Sequence, residues 1–133
     1  NVEIKSITEE TDGVEQVTSD CIQRHHLESS IIVSSFNPLA LKRFRAILPE
    51  VAIGYLFAPD YTFYPEVMDA LPHEALHPYH EAIDALLVEK ARQAGQTINT
   101  WTVNDPAQAA KLRAMGVQGI ITDKPDIIRQ ALT

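Results

Sequence analysis

"QTINTWTVNDPAQAAKLRAMGVQGIITDKPDII", residues 96–128, is the stretch whose reading decides the fold. Thr97 to Val103 is an apolar run rich in Thr, Ile and Val, the composition of a buried strand. Asp105-Pro106 follows it, a capping acid and then the residue favoured at the first position of a helix. Residues 106 to 115 read as that helix, and Gly116 stops it where a left-handed residue is expected. A second short run, Gly119 to Thr122, leads through Asp123-Lys124-Pro125 into another helix over 125–132. Strand, helix, strand, helix in so short a span implies parallel strands joined by a crossover, the unit of an α/β fold.

The alternation continues toward the N-terminus. Val2 to Ile4, Ile31 to Ser35 and Val51 to Phe57 are further strand candidates, which makes about five. Val14, Val17, Cys21 and Leu27 share one face of a predicted helix, with Cys21 as a small core residue. A second helix starts at Pro38 behind Asn37 as cap and carries Leu39, Lys42, Phe44 and Leu48. Ile83, Leu86, Leu87, Ala91 and Ala94 form the clearest stripe, and Gly95 ends it. Near-continuous apolar strands separated by helices predict a parallel sheet. No boundary is visible, so residues 1–133 read as a portion of one domain. Ala58 to Tyr79 is the one long irregular passage; it holds four of the eight prolines and is expected to be a functional loop.

With 45% hydrophobic and 22% charged residues, the chain can bury a sizeable core. A net charge of −7 with eleven scattered Lys and Arg argues against nucleic acid or an anionic membrane as partner. The single cysteine excludes an internal disulfide and a multi-cysteine zinc site. No apolar run approaches the ~20 residues that span a bilayer; a soluble domain is expected, and the sequence does not fix its compartment, with a cytoplasmic one slightly favoured. "NVEIK", residues 1–5, opens without an initiating Met and reads as the middle of a strand, so a truncated product is expected.

His73-Glu74-Ala75-Leu76-His77 spells H-E-x-x-H, which grips zinc only when a helix places both imidazoles on one face. Pro78 disfavours the helical conformation at His77 and blocks continuation, and no third ligand is clearly placed, although His80 and Glu89 stand near in sequence. The zinc peptidase is therefore the weaker reading; His73 and His80, like His25-His26, read as loop or surface residues. Polar residues closing the apolar strands are the better candidates. Glu3 and Lys5 alternate with Val2 and Ile4 and point to one face; they form either a structural couple or a pair in which Glu3 ligates a hard cation and Lys5 places its charge on a phosphate. Ser34, Ser35 and Phe36 close the next strand. Trp101 is either core filler or a wall for the nonpolar part of a substrate, and Asn104 and Asp123 are expected to be helix caps.

"NVEIK", "IIVSSFNPLAL", "VAIGYLF", "ALHP", "AGQTINTWTVN" and "GVQGIITDKPDII", in this order, resemble the C-terminal part of the glycerophosphodiester phosphodiesterase family, strands four to eight. The resemblance implies a partial TIM (β/α)8 barrel lacking its N-terminal strands. It also implies hydrolysis of a small-molecule glycerophosphodiester to an alcohol and glycerol 3-phosphate with a divalent cation, Ca²⁺ or Mg²⁺. Glu3 matches a metal ligand, Lys5 the phosphate-facing lysine, Trp101 the aromatic at the glycerol end and Phe36 the phenylalanine after the next strand. His77 would then be a loop residue near the barrel mouth. The family's His-Arg-Gly, Glu-x-Asp and His-Asp segments have no counterpart in this sequence, so no catalytic residue is expected in the chain and the fragment alone is expected to be inactive. A non-enzymatic half-barrel that assembles with another chain or binds a phosphorylated ligand is the alternative. Exposed sheet edges predict self-association.

Overall fold

Short apolar strands separated by capped helices leave parallel pairing as the available arrangement, and every strand pair described is parallel. The computed structural model describes residues 1–60 and 64–133. The chain divides into two units, Asn1–Glu74 and Ala75–Thr133.

Unit 1 carries β1 (Val2–Glu3), α1 (Val14–Arg24), β2 (Ile32–Ser35), α2 (Pro38–Ile47), β3 (Ala52–Phe57) and α3 (Pro65–Ala70). Val2 pairs with Val33 and Val33 with Ile53, which sets the register of all three strands. One face of this sheet meets the helices: Ile4, Val33, Ile53 and Tyr55 pack against Ile22 of α1 and Ala40, Leu41 and Phe44 of α2. Phe44 and Leu41 are fully buried, each worth about 2–3 kcal/mol relative to exposure. Asn37 caps α2 as expected, accepting from the Leu39 amide at 3.0 Å with Pro38 following it.

The inward face of α1 differs from the expected one. Glu15, Ser19 and Ile22 are buried, whereas Val17 is 68% exposed and Cys21 is exposed. The helix turns this way because the Glu15 carboxylate has partners beneath it, namely the Thr11 hydroxyl and Arg43 Nε at 2.8 Å. A buried charge with such partners is tolerated where an unpaired one is not.

Unit 2 carries β4 (Ala75–Pro78), a short 3₁₀ turn (His80–Ala82), α4 (Ala85–Gln93), β5 (Thr97–Thr100), α5 (Pro106–Met115), β6 (Gly119–Ile120) and α6 (Pro125–Leu132). Ala75 pairs with Thr97 and Asn99 with Gly119. Ile98, Ala91, Ala109, Leu112, Val117 and Ile128 form its core, with Leu76, Leu87 and Ile120 packed against them. In α4, Ala91 turns inward while Leu86 remains 61% exposed, so the stripe is narrower than its sequence. Gly95 and Gly116 have φ of 70° and 104°, as helix-ending glycines should.

Among the described residues there are six strands where the sequence suggests about five. The additional one, β4, lies in the passage Ala58–Tyr79 expected to be a loop; α3 lies there too, while residues 61–63 of that passage fall outside the described residues. Pro78 hid the strand. It has no N–H, but the ladder uses only its carbonyl, which accepts from Thr100 Oγ1 at 2.9 Å and from the Trp101 amide at 3.4 Å.

Candidate functional site

Away from the helices, the other face of each sheet carries polar residues in register. In unit 1, Glu3 pairs with Ser34 and Ser34 with Gly54, so their side positions share a row. Ile4, on the opposite face, is anchored at both backbone groups: its amide donates to the Ser34 carbonyl at 2.8 Å, and its carbonyl accepts from Ser35 Oγ at 2.7 Å. That fixes the end of β1. Glu3 and Lys5 flank Ile4 and are exposed. With Ile4, Ser6, Ile7 and Phe36 they line a cleft of about 160 Å³. Glu3, Lys5 and Phe36 are thus brought together, and no ion pair joins Glu3 to Lys5 among the described residues. Ser34 Oγ, fully buried in the same row, has no hydrogen-bond partner among the described residues.

The loop that follows β1 is tied down at three points. Asn37 Nδ2 donates to the Thr8 carbonyl at 2.8 Å, Arg43 Nη1 to the Glu9 carbonyl at 2.7 Å, and the Tyr64 hydroxyl to Glu9 Oε1 at 2.8 Å. Arg43 in turn is held by Glu15. Burial raises the Glu15 carboxyl's pKa, but the hydrogen bonds from Thr11 and Arg43 outweigh it and the net position is below the usual carboxylate range.

In unit 2 the corresponding row is His77, Asn99 and Gly119. Asn99 Nδ2 lies 3.0 Å from His77 Nε2. A Cβ on Gly119 would stand 2.0 Å from Asn99 Oδ1, so only glycine leaves room for that amide. His77 is 1% exposed, and burial pushes its imidazole down to about 4, so it is neutral at pH 7. The expectation of a loop histidine is corrected: His77 is a buried strand residue beside the half-buried Asn99 amide. The H-E-x-x-H reading also fails on geometry. His77 lies on extended backbone, His73 Nδ1 contacts the Leu71 carbonyl at 2.7 Å, and Glu74 is engaged by Arg45 at 2.6 Å and by the Ile53 amide at 2.9 Å. Among the described residues no group of three His, Cys, Asp or Glu could hold a metal ion.

Trp101 is half-buried. Its Nε1 donates to the His77 carbonyl at 2.8 Å, and its ring centroid is 5.3 Å from that of Tyr79, so it forms an aromatic wall with one edge fixed. Asn104 and Asp123 are not helix caps. Asn104 Oδ1 accepts from Thr122 Oγ1 and from the Asp123 amide, both at 2.9 Å, and its Nδ2 donates to Asp123 Oδ2 at 2.8 Å. Asn104 therefore stitches the segment after β5 to the segment after β6. Asp105 does cap α5, accepting from Ala107 and Gln108.

The glycerophosphoryl diester phosphodiesterase family pattern matches residues 1–127. The chain belongs to that family. A glycerophosphodiester phosphodiesterase of Caldanaerobacter subterraneus subsp. tengcongensis is 30% identical over 128 residues, covering 96% of this chain and 53% of that protein. Among solved structures, a candidate glycerophosphoryl diester phosphodiesterase from Silicibacter pomeroyi superposes with a TM-score of 0.83 at 25% identity, over 98% of this chain and 48% of that one. An Oleispira antarctica phosphodiesterase, solved with its product sn-glycerol-3-phosphate, gives a TM-score of 0.79 at 28% identity, over 99% of this chain and 54% of that one. The fold is that of part of the family's TIM barrel, and the chain spans about half the length of the relatives it matches. In such barrels the chemistry collects at the carboxyl ends of the strands; Glu3 ends β1, Lys5 follows it by two residues, and Phe36 follows β2.

Proposed function

We propose that the protein is part of a metal-dependent phosphodiesterase that hydrolyses glycerophosphodiesters to an alcohol and glycerol 3-phosphate, with Glu3 and Lys5 at its phosphate end. The observation that carries this reading is the pairing of a family match with an exposed carboxylate and an exposed ammonium on one cleft at a strand end. Glu3 offers the hard oxygen donors that Ca²⁺ or Mg²⁺ prefers. Such ions take six or more ligands, however, and one carboxylate supplies only a fraction of them. The remaining ligands would come from outside this chain. A bound divalent cation would supply positive charge to the non-bridging phosphate oxygens.

The chain's own residues do the rest of what is proposed here. Lys5 places an ammonium on the phosphate, where it stabilises the charge that builds on the non-bridging oxygens. Phe36 gives the cleft an apolar wall; within unit 2, Trp101 and Tyr79 form an aromatic surface, and Trp101 is proposed, from the family resemblance, as the aromatic at the glycerol end. Acid–base catalysis needs one group to take a proton from the nucleophile and one to protonate the leaving oxygen. His77, buried and neutral, is not placed to do either, so the chain alone is inactive in this reading.

The test is release of glycerol 3-phosphate from a panel of glycerophosphodiesters by the full-length protein and by residues 1–133, with and without a chelator. Chelator-sensitive release by the former and none by the latter is expected. A full-length protein that hydrolyses no glycerophosphodiester under any divalent cation overturns the proposal. Glu3→Gln in the full-length protein should lower divalent-ion affinity at least tenfold by calorimetry, with excess metal restoring part of the turnover; unchanged affinity removes Glu3 from the metal site.

A further inference from the structure

Trp101 is the only tryptophan in the sequence, and β4 with the residue after it holds its indole from two directions. Its Nε1 donates to the His77 carbonyl at 2.8 Å, which fixes one edge. The Tyr79 ring lies beside it, 5.3 Å between centroids with 54° between the planes, within the spacing of about 4.5–7 Å that favours aromatic pairs. The backbone repeats the pairing: Tyr79 and Trp101 form a parallel bridge, and the His80 amide donates to the Trp101 carbonyl at 3.1 Å. Tyr79 is backed in turn. The His80 ring is tilted against it at 4.3 Å, and Gln108 Nε2 on α5 lies 2.8 Å from His80 Nδ1, while Asp105 accepts from the Gln108 backbone amide at 3.1 Å at the start of that helix. His80, which the sequence presents as a loop or surface residue, is therefore the middle of a chain of contacts that runs from α5 to the indole.

We propose that Tyr79 is a positioning residue: its ring sets the orientation of the Trp101 indole for the glycerol moiety, with His80 and Gln108 as its brace. The inference rests on the reading of Trp101 as the aromatic at the glycerol end. It needs no surface to be open or covered, because every contact in the chain lies within unit 2. An indole anchored at Nε1 can still rock about that bond, and a ring that must be stilled by the ligand weakens binding by the entropy lost. A neighbouring ring that limits the motion beforehand removes that cost. The device uses the ring of Tyr79 and not its hydroxyl, so phenylalanine should serve in its place. Its effect is confined to the glycerol portion of a ligand, since the phosphate is read as meeting Lys5 of unit 1.

The experiment uses the full-length protein and measures binding of sn-glycerol 3-phosphate and of inorganic phosphate by calorimetry, which needs no turnover. Tyr79→Leu keeps an apolar side chain and removes the ring; it should weaken glycerol 3-phosphate about fivefold, the worth of one aromatic pair, and leave inorganic phosphate within about twofold. Tyr79→Phe should bind both ligands as wild type does. His80→Ala should weaken glycerol 3-phosphate by a smaller factor. A second arm follows the Trp101 indole N–H by NMR, its resonance assigned by its loss in Trp101→Phe: exchange with solvent should be faster in Tyr79→Leu and unchanged in Tyr79→Phe. Unchanged glycerol 3-phosphate affinity in Tyr79→Leu, an equal fall for both ligands, a Tyr79→Phe variant as weak as Tyr79→Leu, or no glycerol 3-phosphate binding by wild type overturns the inference. Affinity that Trp101→Leu leaves unaltered overturns it too, since Tyr79 then has no ligand-bearing indole to orient. Selective loss in Tyr79→Leu, in a protein that hydrolyses no glycerophosphodiester, supports the inference while sinking the proposed function.

Discussion

The two units build the same device and use it differently. Each packs one face of three parallel strands against helices and carries on the other face a row of two polar residues and a glycine: Glu3, Ser34 and Gly54 in unit 1, His77, Asn99 and Gly119 in unit 2. The first row begins with an exposed carboxylate beside an exposed lysine. The second begins with a histidine that burial keeps neutral. A charge left in water at a strand end is available to a ligand, whereas a neutral imidazole shut away beside an amide is part of the packing.

The sharpest way to break this contrast is Gly119→Ala. If the row in unit 2 is packing, the added methyl must displace the Asn99 amide and orphan His77 Nε2, an overpacking and an unsatisfied group that together cost about 4 kcal/mol. The denaturant midpoint should fall accordingly; a change below about 1 kcal/mol would show that Asn99 moves freely and the row is not packed. Somewhat smaller is the pH effect of His77. Its pKa is lowered from 6.5 to about 4 on folding, so the unfolded chain binds the proton first. Stability from the neutral ring is complete above pH 6.5 and is lost as pH falls toward 4, by about 3 kcal/mol. Glu15 and Glu74, held below their usual range against burial by their hydrogen bonds, act in a lower window, below their ordinary 4.5. A His77→Gln variant should therefore flatten the stability profile between pH 6.5 and 4.5 and leave the steeper acid limb in place; an unaltered profile contradicts the assignment.

The smallest expected effect separates two helix caps. Asp105→Ala removes an exposed cap in unit 2 and should cost about 1 kcal/mol. Asn37→Ala removes a cap that is 2% exposed and also the bond to the Thr8 carbonyl, so about 2 kcal/mol is expected. The mark of the second role is faster amide exchange in residues 6–12 of Asn37→Ala alone. Equal exchange in both variants would mean that the loop is not held by Asn37.

Much of this was legible in the chain. The caps at Asn37 and Asp105 and the glycines at 95 and 116 follow from local chemistry that few tertiary contacts can override. What escaped depended on partners far away in sequence. The inward turn of α1 is decided by Arg43, 28 positions after Glu15; β4 was masked by a proline whose missing N–H the ladder does not use; and Asn104 was read as a cap because nothing local reveals that Thr122 and Asp123 are its partners.

The central proposal, that the functional charge lies at the end of β1 and not at the buried His77 of unit 2, is tested most directly by turnover per folded molecule of Lys5→Met in the full-length protein. Lys5 is exposed, so its unfolding midpoint should match wild type. Loss of one ammonium that stabilises the phosphate's developing charge should lower kcat roughly a hundredfold, about 3 kcal/mol, with divalent-ion affinity unchanged. Wild-type turnover in Lys5→Met would contradict the account.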